Sequence, residues 1–507
     1  MTVRGQPSYS DLFVVSDLHL GGKPEQQIFC QGTLLAALID LAGGQLGSAD
    51  GRVGLVLAGD IVDFLAEPGQ VHFKATPEAL GCLERIVEDP AFKPVFLALR
   101  RFVRQPNHEL ILFIGNHDLE LALPEVQQRL TELICGFDEN GASLDEATAA
   151  AARGRLRLIM DVTGLRCRVG TAQVLCLHGN EVDEWNRVAP GKLTEVCASA
   201  TRKATEEPWI PNAGTQLVID VMNPIKERFP FVDLLKPEDE VVIPVLMAID
   251  PGIAKKASFS SIPGIGARLV RDSVGRWFWL GEGEGGEASP TATDPAAMAP
   301  AAVLQDSASD LLSQAQSDSL RGRAPLDLLV QSGMSGESLG SVSNLLGYYW
   351  SRIAQKPPEE ALREGLRSWL KNDRTYSPGQ ADDTFKRIDA LVDPAIDVVI
   401  AGHTHLARAL PRSRGGKYYN AGTWIRLIRL DEAKLATATA FEPVYKALGQ
   451  GTMAALDACP GLIYHRATVV RVRQQGNQTE SGLYQCDFND QTLQLSELTT
   501  EGSKESS

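Results

Sequence analysis

Five short apolar runs, each ending in a side chain able to hold a metal ion or move a proton, constrain this chain more than any other feature. Leu12 to Ser16 ends at Asp17, Gly54 to Ala58 at Gly59-Asp60, Leu110 to Ile114 at Gly115-Asn116, and Val174 to Leu177 at His178. A fifth run, Asp397 to Ala401, delivers Gly402-His403-Thr404-His405. Runs this short and this rich in Val, Leu and Ile read as strands buried on both faces. Segments of helical period separate the first four, and the alternation predicts a layered α/β core. Polar residues just beyond the carboxyl ends of successive strands are where such sheets assemble their sites.

The residue types at those ends point to one chemistry. In Asp17-Leu18-His19, an extended segment would send i and i+2 the same way, so one carboxylate and one imidazole reach the same ion. Asp60 follows a glycine at a sharp turn and is placed to bridge two ions. Asp63 is then expected as an acceptor that fixes a ligand imidazole. Asn116 offers a carbonyl oxygen, His117 faces the substrate, and Asp118 is expected to hold the His117 ring in its protonated form. His178 and the pair His403 and His405 add three imidazoles. Five of the eight histidines fall in these motifs, whereas His72, His108 and His465 read as ordinary core or surface residues.

Imidazole, amide and carboxylate donors without thiolate suit manganese, with iron or zinc as alternatives. Two divalent ions roughly 3.5 to 4 Å apart would share Asp60 and a bridging hydroxide, which attacks phosphorus while His117 donates a proton to the leaving oxygen. Eight scattered cysteines without a C-x-x-C pair read as reduced core residues rather than ligands.

These blocks, in this order, resemble the calcineurin-like metallophosphoesterase superfamily, whose pattern is D-x-H, G-D-x-x-D, G-N-H-[DE], H and G-H-x-H. The match covers about the first 180 residues and about 395 to 430. The resemblance implies a four-layer α-β-β-α sandwich, two packed sheets flanked by helices. It further implies one metal site from Asp17, His19, Asp60 and His405 and another from Asp60, Asn116, His178 and His403. Ser-Asp-Leu-His-Leu-Gly, His-Gly-Asn, the helical insertion before Gly-His-Thr-His and the following Asn-Ala-Gly-Thr-Trp are most similar to the UDP-2,3-diacylglucosamine hydrolase branch. This chain carries His117 where that hydrolase has an arginine, and its insertion is longer, so the branch implies architecture, with its substrate as one alternative.

The chain divides into a first core part (1–180), a cap-like, largely helical insertion (181–394) with a disordered linker around 281–325, a second core part (395–435), and a helix, hairpin and polar tail (436–507). Leu193, Val196, Cys197 and Ala200 sit at helical spacing early in the insertion, and Leu362, Leu366, Trp369 and Leu370 late in it. Trp277-Phe278-Trp279 and Tyr348-Tyr349-Trp350 are aromatic clusters that read as the insertion's own core or as a pocket lining. Asp183, Glu184, Trp185, Asn186 and Arg187 follow His178 closely, with no spacing that sets their direction. Ile463 to Arg473 and Leu483 to Leu495 read as one hairpin about Gly476-Asn477.

A net charge of −15 argues against a broad nucleic-acid face. No apolar stretch reaches the length of a membrane span, which leaves only peripheral membrane contact, and no secretory signal is evident, so a cytoplasmic location is expected. The function expected is hydrolysis of a phosphoester or pyrophosphate bond in a small phosphorylated, nucleotide- or lipid-linked substrate. A DNA-directed nuclease and a non-catalytic binding scaffold are the alternatives. Protein phosphatases carry Gly-Asp-x-x-Asp-Arg-Gly and Gly-Asn-His-Glu, where this chain reads Asp63-Phe64-Leu65 and Asp118. The oligomeric state has no signature in the sequence.

Overall fold

A computed structural model describes residues 6–45, 52–69, 71–201, 209–236, 238–249 and 356–498. The linker around 281–325 and both aromatic clusters lie outside the described residues. The fold is mixed α/β, built on a branched sheet of twelve strands. In chain order these are β1 (Ser8–Val15), β2 (Arg52–Ala58), β3 (His108–Phe113), β4 (Leu156–Ile159), β5 (Leu165–Val169) and β6 (Ala172–Cys176). They continue with β7 (Val398–Ala401), β8 (Arg408–Pro411) and β9 (Lys417–Asn420). After the small pair β10 (Leu427–Ile428) and β11 (Ile463–Tyr464) come β12 (Thr468–Gln475), β13 (Gln478–Asn489) and β14 (Thr492–Glu497).

The branching happens at β1. One of its edges pairs in parallel with β2, which continues through β3 to β4. The other edge changes partner along its length: Ser8 and Tyr9 pair with β5, while Asp11 to Val14 pair antiparallel with β12. A register shift between Tyr9 and Asp11 marks the change, as a bulge bends a strand and increases its twist. Beyond β5 the second branch runs β6, β7, β9, β8.

Period-two alternation sorts the strand side chains between separate cores. Leu12, Val14, Val56, Ala58, Ile111 and Phe113 of the first branch share one core with Val174, Cys176, Val398 and Ile400 of the second. Their neighbours Phe13, Val15, Leu55, Leu57, Leu110 and Leu112 pack instead against the helices Gly32–Gly43, Thr76–Glu88, Lys93–Arg104 and Pro124–Cys135. Leu175, Val399 and Ala401 pack against Ile388 of the helix Asp383–Leu391. Burial on both faces is why these strands read as continuous apolar runs.

The insertion shares a core with the helices and strands beyond the second sheet branch. Phe231, Leu235, Val241 and Val245, with Leu362 and Leu366, pack with Ile425, Leu427, Phe441, Val444 and Leu456. The helices at Pro190–Thr201 and Pro358–Trp369 lie where helical spacing placed them. The expected hairpin turns at Gly476-Asn477, between β12 and β13, but its second half is two strands. Asp490 and Gln491 both have positive φ, 46° and 66°, the backbone of a two-residue hairpin turn, and they divide β13 from β14. Of the cysteines expected in the core, six are buried, Cys197 is half-buried and Cys30 is exposed. Among the described residues no helix is long and apolar enough to cross a membrane.

Candidate metal centre

The chain leaves β1 alongside the continuation of β2: the Asp17 N–H donates to Gly59 O at 3.2 Å and the His19 N–H to Asp60 O at 2.9 Å. From the second branch, the Gly402 N–H donates to His178 O at 2.7 Å, and the His403 N–H meets both Asp17 carboxylate oxygens at 3.0 Å. With the His117 N–H, just past β3, on Asp60 Oδ1, the carboxyl ends of β1, β2, β3, β6 and β7 meet at one place.

Asp17 and His19, and likewise His403 and His405, do not converge from an extended segment. Asp17 (φ 54°), His19 (47°), Asp60 (50°), His403 (70°) and His405 (61°) are all left-handed, five of the nine such non-glycine residues described. Positions i and i+2 of a strand lie about 6.6 Å apart, and the kinks replace that spacing with convergence. Each such residue costs roughly 1–2 kcal/mol, strain that persists where surrounding structure imposes it and that clusters at functional sites.

Donor atoms of Asp17, His19 and His405 lie within 4.8 Å of one another, as do those of Asp60, His178 and His403, and those of His19, Asp60 and His117. Asp60 joins the groups. Its Oδ1 accepts the His117 N–H at 2.8 Å, while Oδ2 lies 3.2 Å from His178 Nε2 and 3.8 Å from His19 Nε2. Asp17 and Asp60 are buried, and the ion pairs they make among the described residues are with imidazoles alone. Buried carboxylates without a fixed cation are the ordinary setting for a bound metal.

The orphaned atoms tell the same story. Asn116 Oδ1 and His178 Nε2 are buried without a hydrogen-bond partner, the latter facing the Asp60 carboxylate at 3.2 Å. His178 donates Nδ1–H to Ala58 O at 2.9 Å, and His19 Nδ1 lies 3.1 Å from Asp63 Oδ2, so both rings present Nε2 to the centre. Such outer bonds fix tautomer and ring orientation for a ligand. His19 Nε2 and His405 Nε2 stand 3.0 Å apart, a close pair of lone-pair donors that a shared cation would satisfy. The donor groups present here could hold a metal ion.

Asp118 does not do what its place in the motif suggested. Its Oδ2 accepts the Ile61 N–H at 2.7 Å and its Oδ1 the Gly115 N–H at 2.6 Å, so it clamps the two ligand loops together and leaves His117 alone. Asp63 holds His117 instead, with Oδ1 3.2 Å from its Nδ1. Burial lowers the His117 imidazole, but the Asp63 and Asp60 carboxylates outweigh it and hold the ring up at about 9. Burial likewise raises Asp60, and His178, His117 and His19 outweigh it, leaving the carboxyl well below its usual range.

Two acidic residues after His178 belong to the same assembly without a motif to announce them. Glu181 accepts the His178 and Gly179 N–H groups at 3.1 and 2.6 Å. Asp183 Oδ2 lies 2.8 Å from His403 Nε2. His108 sits at the start of β3, the far end from Asn116, with Nδ1 2.8 Å from Pro106 O.

No family model, curated protein or solved structure matches the chain.

Gly115 shows how tightly the donors are set. A Cβ there would lie 2.2 Å from Asp60 Oδ1 and 2.7 Å from His178 Nε2. Gly115→Ala is expected to lose metal and to destabilise the fold by about 1–3 kcal/mol through overpacking. Gly449→Ala is the control, since a Cβ on that helical glycine meets nothing within 4 Å. Thermal unfolding and metal content of the two variants check this, and equal behaviour would count against so close a cradle.

An open cleft adjoins the centre on the His19 and Asp63 side. Lys23 and Gln26 of the core and Asn223 and Lys226 of the insertion line it, so the insertion roofs the approach.

Proposed function

We propose that the chain is a dinuclear metal-dependent hydrolase of phosphoester or pyrophosphate bonds, with the calcineurin-like metallophosphoesterase fold. The observation that carries the reading is Asp60 Oδ2, set between His178 Nε2 and His19 Nε2 at 3.2 and 3.8 Å, within reach of the donors proposed for both ions. Asp17, His19, Asp60 and His405 would hold one ion, and Asp60, Asn116, His178 and His403 the other. Supporting the fold assignment, the two sheet branches share a core, and each packs its other face against helices. The oxygen and nitrogen donor set, without thiolate, favours manganese, with iron or zinc as alternatives.

When bound, the two ions supply Lewis acidity and a water acidic enough to act as a nucleophile at neutral pH. The chain's residues do the rest. Asp63 orients His19 and His117 through its two oxygens. His117 is partly exposed beside the donors, its ring 4.8 Å from that of His19, and can pass a proton to a leaving oxygen. Lys23 and Lys226 line the adjoining cleft together with Asp63, Glu67, Glu227 and Asp233, and a phosphorylated small molecule or the head of a lipid-linked one would lie there beside the ions.

Metal-depleted protein, reconstituted separately with manganese, zinc and iron, tests the reading on mono- and bis-p-nitrophenyl phosphate. Metal-restored release of p-nitrophenol is expected, and preference between the two esters separates monoesterase from diesterase or pyrophosphatase chemistry. Two ions bound with no turnover, on these esters and on nucleotide-linked diphosphates, would leave a binding scaffold.

A further inference from the structure

We propose that Asp183, on the first loop of the insertion, is the positioning residue that makes His403 a metal ligand through Nδ1. The inference rests on the dinuclear reading above and adds a residue outside its motifs. Asp183 Oδ2 stands 2.8 Å from His403 Nε2, and Asp183 is absent from every group of converging donor atoms described. It therefore acts on the ring and not on the ion.

The direction of the proton follows from the other partners of Asp183. Its Oδ1 accepts the Trp185 N–H at 2.9 Å, and its Oδ2 accepts Asn186 Nδ2 at 2.7 Å. A carboxylate already taking two donors is an acceptor, so the shared proton lies on His403 Nε2 and the lone pair on Nδ1. His19 and His178 are held in the opposite sense, with Nδ1 facing outward and Nε2 inward. A rotated or wrongly protonated His403 would turn an N–H toward the ion, and Asp183 prevents it.

The loop that carries Asp183 is braced for the task. Asn180 Nδ2 donates to Asn186 O at 3.0 Å, and the Gly214 N–H, within the insertion, donates to Trp185 O at 2.8 Å. A Cβ on Gly214 would fall 1.9 Å from Asn186 Oδ1, so the helix at Ala213–Leu217 presses directly on the residue that steadies Asp183. Asp183 thereby ties the insertion to His403.

Metal binding alone is the readout. Zinc is titrated into chelator-stripped full-length protein against a competing chromophoric chelator, resolving two affinities. In Asp183→Ala, one ion is expected to bind ten- to a hundred-fold more weakly, the usual effect of losing an outer partner of a ligand histidine, with the other unchanged. Asp183→Asn can keep an oxygen acceptor for Nε2–H only by setting its NH₂ against the Trp185 N–H, so it should recover only part of the loss. Asn186→Ala, which removes only the brace, should weaken the same ion by less, and it keeps the test open if the alanine variant folds poorly. Unchanged affinities in Asp183→Ala and Asn186→Ala, or equal weakening of both ions, would overturn the inference. Wild-type protein binding fewer than two ions would instead bring down the dinuclear reading itself.

Discussion

Replacing Asp60 by asparagine is expected to remove both metal ions and to slow turnover by at least about 10³-fold, roughly 4 kcal/mol of barrier. The reason is that both carboxylate oxygens are already assigned. Oδ1 receives the His117 N–H at 2.8 Å, and Oδ2 faces His178 Nε2 and His19 Nε2. An asparagine that keeps its oxygen on the His117 side presents N–H groups to the shared position, where no lone pair then remains. Flipped, it sets an NH₂ against the His117 N–H, two donors in contact in a buried site. Neither orientation rescues the variant, although it is nearly isosteric. Metal content by elemental analysis and turnover on p-nitrophenyl phosphate are the measurements. Wild-type metal content with wild-type rate would end the dinuclear hydrolase reading.

His117→Ala should behave differently. Turnover is expected to fall by about 10²- to 10⁴-fold, the range for a lost proton donor, while both ions stay bound. The loss should depend on the leaving group. p-Nitrophenolate departs with little need of a proton, so the deficit should be smaller for p-nitrophenyl phosphate than for an alkyl phosphate of poor leaving ability. Equal deficits would assign His117 to substrate binding. Loss of an ion would make it a ligand, which the convergence of His19, Asp60 and His117 makes a fair trial.

Much of the centre was legible in the chain before any geometry. Each donor stands at the end of an apolar run, and that relation is local: a buried strand must end, and the residues just past its carboxyl edge are exposed to the site. Asp17, His19, Asp60, Asn116, His178, His403 and His405 were readable in this way, and the structure brings their loops to one place. The helices at Pro190–Thr201 and Pro358–Trp369 were readable from helical period for the same local reason.

What the sequence hid was the aim of each carboxylate. Asp118 adjoins His117 in the chain but turns to the backbone N–H groups of Ile61 and Gly115, while Asp63, on another loop, holds the ring. Asp183 lies 220 residues from His403 and shares no motif with it. The direction of a side chain beyond a strand end is set by backbone kinks, here the left-handed residues at Asp17, His19, Asp60, His403 and His405. Asp and His adopt that conformation several-fold more often than other side chains, yet in only a small minority of positions, so residue type alone does not announce the kink.

The sequence by itself determined which donors the chain offers and in what order, because side-chain chemistry and the length of an apolar run are properties of neighbouring residues. Only the tertiary structure decided which atoms meet. It set β12 beside β1, joined the insertion to the helices after Leu430 in one core, and put the His403 N–H on Asp17 across 386 residues. Those pairings depend on how two sheet branches close over a common core, which the packing of the whole chain settles and no local stretch of it encodes.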